Sequence, residues 1–595
     1  MRLDIKEKIP AIVLFVFFAS LYIYTAVPGV YDGDSGEIAA AVNTLGLAHP
    51  TGFPLYMLAG KLFTLLVPIG DVAYRLNIFS ALLTASSLVF LFYAFRNLGN
   101  SSFSSLAAII ILGFGRNTIW SNAGTARVYA LSLFFVSVLL FILSKWRNKQ
   151  EIKYLYWYGF LWGLSLGTHA LMLILGIPFL LMLWQAWSMF KSKISVFLKT
   201  ILLVVLPGIQ YVYLFFAYKR NSIVTWGDMS SFDGFVYYIT QRQYTYKMFA
   251  RTWSGTMTFL DKIGSLLTTE FTIIFFVIAL IGLAAVYKRR KSLFLLLVAM
   301  AVANVGIMFS YGNSEGDILV LFRYLFIVDV VLALAVAFSL DEMMSALEVF
   351  KSNKRVVFFS ILIIAAIFIQ FKYSYAFNNR RYYYLVEDTA TNMLNNVEPN
   401  AVIFSYIDHV YGPLWYLQSI GYRKDVVIVV EPFMIHDWYI KNMAQKYPDV
   451  FGEDLITIKS ENTKVRTLIK DNLSNRPVYS VFNSLGDPAS EKDFDFVSQG
   501  LLNRIIPKGS DKKKLIIANN YIWDKYNMRD VRSAGYYKEE SIDFLVKLYA
   551  LALYSGGVAY YNVGLTDQSL NMLKRSFDIF PYPKTQEWLD YITHK

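Results

Sequence analysis

The sequence predicts a polytopic α-helical membrane protein of about eleven spans, followed by a small extracytoplasmic α/β domain and a short helical end. Three observations carry that prediction. The 595 residues are 56% hydrophobic and 17% aromatic, with a mean hydropathy of +0.42, values that a soluble globular chain rarely reaches. Lys and Arg lie in short clusters between apolar runs rather than along one soluble face, so the net charge of +13 reads as a set of topology signals and not as a nucleic-acid surface. Beyond residue 376 the apolar runs shorten and alternate with helical stretches. Zero cysteines exclude disulfides, thiolate metal sites and cysteine nucleophiles, so any external domain must be held by its own core.

Apolar segments of suitable length centre near residues 18, 85, 109, 136, 160, 178, 207, 279, 301, 328 and 364. The first, Ile9 to Val27, lacks a small-residue cleavage site and reads as a retained helix. Pro54 to Val67 is shorter and carries Lys61, which fits a re-entrant or interfacial helix. With Arg2, Lys6 and Lys8 in the cytoplasm, the loops holding Arg96, Lys145 to Lys149, Lys191 and Lys193, Lys288 to Lys291 and Lys351 to Arg355 all fall inside. The same alternation puts residues 28–37, the Arg116 to Arg127 loop, His169, the loop from about 219 to 268, the Tyr311 to Asp317 turn and everything after 375 outside. A bacterial inner membrane with an external tail fits this arrangement.

The chain is organised around Tyr31-Asp-Gly-Asp-Ser-Gly-Glu37 and Ala48-His-Pro-Thr-Gly-Phe-Pro-Leu-Tyr56. They place Asp32, Asp34, Glu37 and His49 directly after the first apolar run, and acids packed this densely at a membrane surface point to a site. The competing reading is a solvated turn in which Asp34 or Ser35 caps a helix. Arg323 lies nearly two turns into the tenth span, where an unpaired charge costs at least ~2.5 kcal/mol. It is either a cation for a lipid-linked phosphate or the structural partner of Asp317 at the start of that span. His169 is a site residue or a polar helix start. In the long outer loop, Trp226 and Asp228 are assigned to the site, and the Tyr-rich stretch Phe235 to Tyr244 to an interfacial anchor.

In the tail, Ala401 to Phe404, Val426 to Val430 and Pro477 to Val481 read as strands, with helices near 387–398, 410–420, 434–447 and 462–474. Asp408 and His409 follow the first strand, where open parallel sheets place ligands; a helix cap is the alternative. No glycine-rich loop follows any strand, so neither a nucleotide cofactor nor a dinucleotide site is expected. From Ser541 the spacing of Leu545, Leu548, Leu553, Leu570, Leu573 and Phe577 predicts one or two tetratricopeptide-like hairpins. The expected division is 1–375, 376–540 and 541–595.

These residues support a resemblance. The first motif, Gly46-Leu-Ala-His-Pro-Thr-Gly-Phe-Pro-Leu55, Arg75-Leu-Asn-Ile-Phe-Ser80, Gly163 to His169, Trp226-Gly-Asp228 and, more weakly, Leu414 to Gln418 and Arg423 to Val426 resemble the signature of a family of multispanning proteins. Its vertebrate member is a transmembrane protein O-mannosyltransferase. The resemblance spans nearly the whole chain and implies a GT-C glycosyltransferase that takes a sugar, mannose by analogy, from a polyprenyl-phosphate carrier to a hydroxyl on a protein or glycan. It implies Asp34 as general base, with Asp32 and Glu37 tuning it or positioning the acceptor, because clustered carboxylates raise one another's pKa. Arg323 or another outer cation would stabilise the departing phosphate. Where the family usually carries Glu-Val-Tyr, this chain has Arg127-Val-Tyr129, which puts a divalent metal bridged between the outer loops in doubt and offers Arg127 to the donor phosphate. Two other classes stay open on residues alone: a non-catalytic assembly protein for surface glycans, and a transporter of lipid-linked sugar, for which no inverted repeat is visible.

Overall fold

The computed structural model describes residues 5–312, 321–349, 353–482, 490–529, 531 and 540–594. Among them, eight helices are long and apolar enough to cross a membrane: Lys8–Thr25, Val72–Asn97, Tyr129–Lys149, Ile194–Lys219, Trp253–Arg289, Lys291–Ser310, Val356–Asn378 and Ile542–Asn562. The expected eleven segments do not map one to one onto these. The segment near 109 is the 12-residue helix Ser102–Gly113, and the one near 160 is the 14-residue helix Ile152–Ser165. The one near 178 is broken into a 3-10 turn, Ala170–Leu175, and a short helix, Gly176–Gln185. Hydropathy counts apolar residues but does not see where a backbone turns. Ile542–Asn562, conversely, belongs to the helical end and packs on Thr566–Ile579.

The first helix α1 (Ile5–Thr25) and the short helix α2 (Asp34–Thr44) bracket the first motif. Val72–Asn97 packs along both α1 and Tyr129–Lys149, making the centre of the bundle. The basic loops gather at one end. There Arg147 donates to Ser292 Oγ at 3.2 Å, Lys145 to Asn97 Oδ1 at 2.9 Å, and Arg289 pairs with Glu342 at 2.6 Å. The acidic motif and the other polar loops gather at the opposite end, tied by backbone bonds from Val27 to Gly124, Leu47 to Val224 and Trp226 to Leu47. Pro54–Leu66 is a 13-residue helix with Tyr56, Met57 and Gly60 buried and Leu58, Leu62, Leu65 and Leu66 exposed, too short to span.

The tail carries a five-stranded sheet in the order β2-β1-β3-β5-β4. Strands β1 (Val402–Ser405), β2 (Val427–Val430) and β3 (Val478–Val481) are parallel and buried on both faces, as their uninterrupted apolar runs require. Strands β4 (Phe494–Gln499) and β5 (Leu502–Pro507) add an antiparallel pair. The helix Asp408–Ser419 follows β1, and three helices, Glu540–Asn562, Thr566–Ile579 and Pro583–Thr593, close the chain. The Asp408–Ser419 helix lies against α2, so the domain sits on the acidic end of the bundle.

Candidate active site

Each acid of the first motif has a different environment. Asp32 is 0% exposed and pairs with His409 Nδ1. Glu37, 4% exposed, accepts the His49 backbone N–H at 2.6 Å, and both its oxygens lie within 3.1 Å of His49 Nδ1. Asp34 at the first turn of α2 keeps 29% of its side chain exposed, 3.7 Å from the Arg323 guanidinium. Gly33, with φ +58°, takes the left-handed turn that starts α2, a conformation that costs glycine nothing.

This corrects two expectations. Asp32 and Glu37 cannot position an acceptor, because their oxygens are buried against histidines. Asp34 is not raised on balance: burial, the largest influence, and Asp32 push it up, but His49, Arg323 and Arg127 together carry it below the usual carboxylate value. The cap reading is corrected as well, since the residue preceding α2 is Gly33 and no side chain caps the helix.

The His49 loop is held from outside the motif. Tyr213 donates to the Gly46 carbonyl at 2.6 Å, Tyr238 donates to that of Ala48, and Phe53 sits in the left-handed region at φ +45°. A bulky residue there is strained and persists because the surroundings impose it. His49 meets Phe53 and Trp226 edge-on at 4.8 and 5.9 Å. Burial works against its charge, but Glu37 and Asp34 raise it to about 9.

Arg127 is buried with its guanidinium 5.4 Å from the Tyr31 ring, close enough to act on Asp34. His169 caps the turn that follows it, accepting from Leu171 N at 3.2 Å, and stacks on Phe53 at 6.1 Å. Burial and His49 lower it to about 4, so it is neutral. Asp228 is not brought to the acids: it accepts from Ser230 N at 2.8 Å and shapes its own loop. Asp317 lies outside the described residues.

Sequence reasoning passed over Tyr324, Arg380 and, in the tail, Phe433. Tyr324 packs on His169 and Tyr129 at 5.5 and 5.3 Å. Arg380 lies 5.1 Å from the centroid of the same Tyr31 ring and donates to Ser121 Oγ at 3.2 Å. Its signal is the pair Arg380-Arg381 just beyond a span, on the side that the charge bias leaves poor in cations. Trp226 reaches Phe433 at 4.3 Å and Trp438 at 6.3 Å, both from the tail.

Asp34, Glu37 and His49 place ligand atoms within 4.8 Å of one another, a spacing that a divalent ion could use. An ion there would have to displace the His49 proton from Glu37 and share Asp34 with Arg323. Protein cations already compensate these acids.

Comparison with known proteins falls on these same segments. The N-terminal domain model of protein O-mannosyl-transferase TMEM260 matches residues 34–194, and TMEM260-associated domain 2 matches residues 386–470. Mouse protein O-mannosyl-transferase TMEM260 is 25% identical over 534 residues, covering 84% of this chain and 74% of its own. The chain is thus similar in sequence to the TMEM260 proteins over these segments. The Dictyostelium discoideum protein O-mannosyl-transferase tmem260 is 23% identical over 567 residues, with 85% of this chain and 68% of that one covered. The fold of this chain also resembles crystal structures of ArnT from Cupriavidus metallidurans. Bound to undecaprenyl phosphate, that structure gives a TM-score of 0.53 at 11% identity, covering 83% of this chain and 97% of ArnT; the apo state gives 0.51 at 12%.

His409 makes a pH test. Burial opposes its charge, but Asp32 and Asp408 raise it to about 9 against Arg323. A folded value above the ordinary 6.5 stabilises fully below about pH 6.5 and is lost as pH rises through about 9. The unfolding midpoint of the detergent-solubilised protein is therefore expected to fall by a few degrees between pH 6.5 and 9.5. His49, also raised to about 9, contributes over the same range, so a His409→Gln variant is expected to lose about half of that slope; an unchanged slope would remove the pair from the account.

Proposed function

We propose that this membrane glycosyltransferase of GT-C type moves a mannosyl group from a polyprenyl-phosphate carrier to a Ser/Thr hydroxyl of a protein acceptor. The relatives' naming as protein O-mannosyl-transferases supports the sugar and the acceptor. One observation carries the assignment of the chemistry: Asp34, the accessible carboxylate of the cluster, stands 3.7 Å from the Arg323 guanidinium. A base and a cation suited to phosphate thus lie side by side.

In this reading the acceptor hydroxyl attacks the anomeric carbon, its proton passes to Asp34, and the bond from that carbon to the phosphate oxygen breaks with inversion. The polyprenyl phosphate leaves with both electrons of that bond, its charge met by Arg323 and by the field of Arg127. Binding of the donor draws Arg323 toward phosphate and loosens its ion pair with Asp34, so the base strengthens when the donor arrives. His49, locked on Glu37, fixes the wall opposite. The positive-inside bias supports the basic end in the cytoplasm, and the site with its α/β domain on the extracytoplasmic face.

The test is transfer of radiolabelled mannose from polyprenyl-phosphate mannose to a Ser/Thr peptide by membranes containing this chain. Transfer above that of empty membranes is expected, and its absence across a panel of carriers and acceptors would overturn the reading. Within that assay Arg323→Gln is expected to raise the donor KM by about tenfold or more, since a charge-assisted phosphate contact contributes ~1.5–3 kcal/mol. An unchanged KM would move the phosphate away from Arg323.

A further inference from the structure

We propose that the α/β domain completes the active site, with His409 a positioning residue that holds the Asp32 carboxylate beside Asp34. The inference rests on the function proposed above and adds a part of the molecule that this chemistry leaves unused.

The argument starts from a register. Gly36 of α2 meets the backbone of Gly412, where an added Cβ would lie 2.5 Å from the Gly412 carbonyl carbon and 2.6 Å from Pro413 N. One turn and three residues further on, Asn43 Nδ2 donates to the Ser419 carbonyl at 2.9 Å. Both pairs share the offset of 376 residues, so α2 and the Asp408–Ser419 helix run parallel and in constant register. Two helices packed this way present their N-terminal ends on one face. Those ends carry Asp34 and Glu37 on α2 and Asp408 on its partner, where the peptide dipoles favour carboxylates.

The same register sets His409 opposite Gly33. With no side chain there, a Cβ position lies only 3.8 Å from His409 Nδ1, and the ring reaches past the backbone to Asp32. The domain is fastened at two further places, by the Ala73 N–H on Tyr416 Oη at 3.1 Å and by Asn442 donating to the Gly227 carbonyl at 3.3 Å. Asp32 is too deep to meet an acceptor, so His409 acts through it: the ring pairs with the buried carboxylate and fixes its orientation beside Asp34, which Asp32 pushes up.

The experiment uses the full chain in membranes and the mannosyl-transfer assay. His409→Ala is expected to lower kcat about 100-fold with the donor KM within about twofold. His409→Gln, which keeps an N–H donor at that reach, is expected to recover about tenfold of it. Asp32→Asn combined with His409→Ala is expected to be no slower than Asp32→Asn alone, because the two act as one unit. Unchanged kcat in His409→Ala, or losses that multiply in the double variant, would overturn the inference. A second measurement needs no activity. The chain has no cysteine, so Asn43→Cys with Ser419→Cys is expected to form one oxidative cross-link that leaves transfer intact. Failure to cross-link overturns the docking whatever the wild type does. A cross-linked but wholly inactive wild-type background would instead refute the proposed reaction.

Discussion

Asp34→Asn is expected to lower mannosyl transfer by about 10³-fold while the folded protein persists at the wild-type level. A positioned general base contributes roughly 10²–10⁴-fold, and neither neighbouring acid can replace it. Asp32 is closed off behind His409, and Glu37 is occupied by the backbone and ring of His49. The substitution also removes the anionic partner of Arg323, so donor binding is expected to hold or tighten slightly, which separates loss of the base from loss of the site. The measurement is the initial rate at saturating donor together with the donor KM. Transfer equal to that of the wild type would dismiss Asp34, and a KM raised in step with the lost rate would recast it as a binding residue.

The second large effect belongs to a residue with no side chain. Gly36→Val is expected to reduce transfer at least tenfold and to open the tail to proteolysis, with the transmembrane bundle still inserted. The new Cβ would meet the Gly412 backbone at 2.5 Å, and main chain cannot swing aside as a side-chain tip can. The helix pair must separate, taking with it the Asn43 to Ser419 bond and the His409 contact to Asp32. Gly306→Ala is the control, because nothing lies within 4 Å of a Cβ there. A Gly36→Val protein that keeps its rate and its protease resistance would mean that the two helices part freely without cost to the chemistry.

What could be read from the chain follows the range of the forces involved. Local periodicity located the parallel strands Val402–Ser405, Val427–Val430 and Val478–Val481, because both-face burial demands an unbroken apolar run. Two of the apolar segments it placed are short helices in the structure: Ser102–Gly113 stops at Gly113, and the stretch after His169 changes from a 3-10 turn to an α-helix at Gly176. The motif of residues 31–37 marked the site, yet its acids looked alike in sequence. Their roles divide through their partners: His49 lies close in sequence to Glu37, but Arg127 and Arg323 act on Asp34 and His409 on Asp32 from roughly 90 to 380 positions away. Asp228, two residues beyond Trp226, faces its own turn instead.

The sequence by itself determined that the chain is a multi-pass membrane protein and that its short basic loops share one side, and it marked Asp34 as a candidate base. Hydropathy and charge alternation are sums over neighbours in the chain, so they survive without knowledge of the fold. The tertiary structure alone decided which carboxylate stays open, which cations hold it ionised, and that a helix from the tail lies in register along α2. Those outcomes depend on the near contact of Gly36 with Gly412 and on a histidine reaching past Gly33, distances that no local pattern encodes.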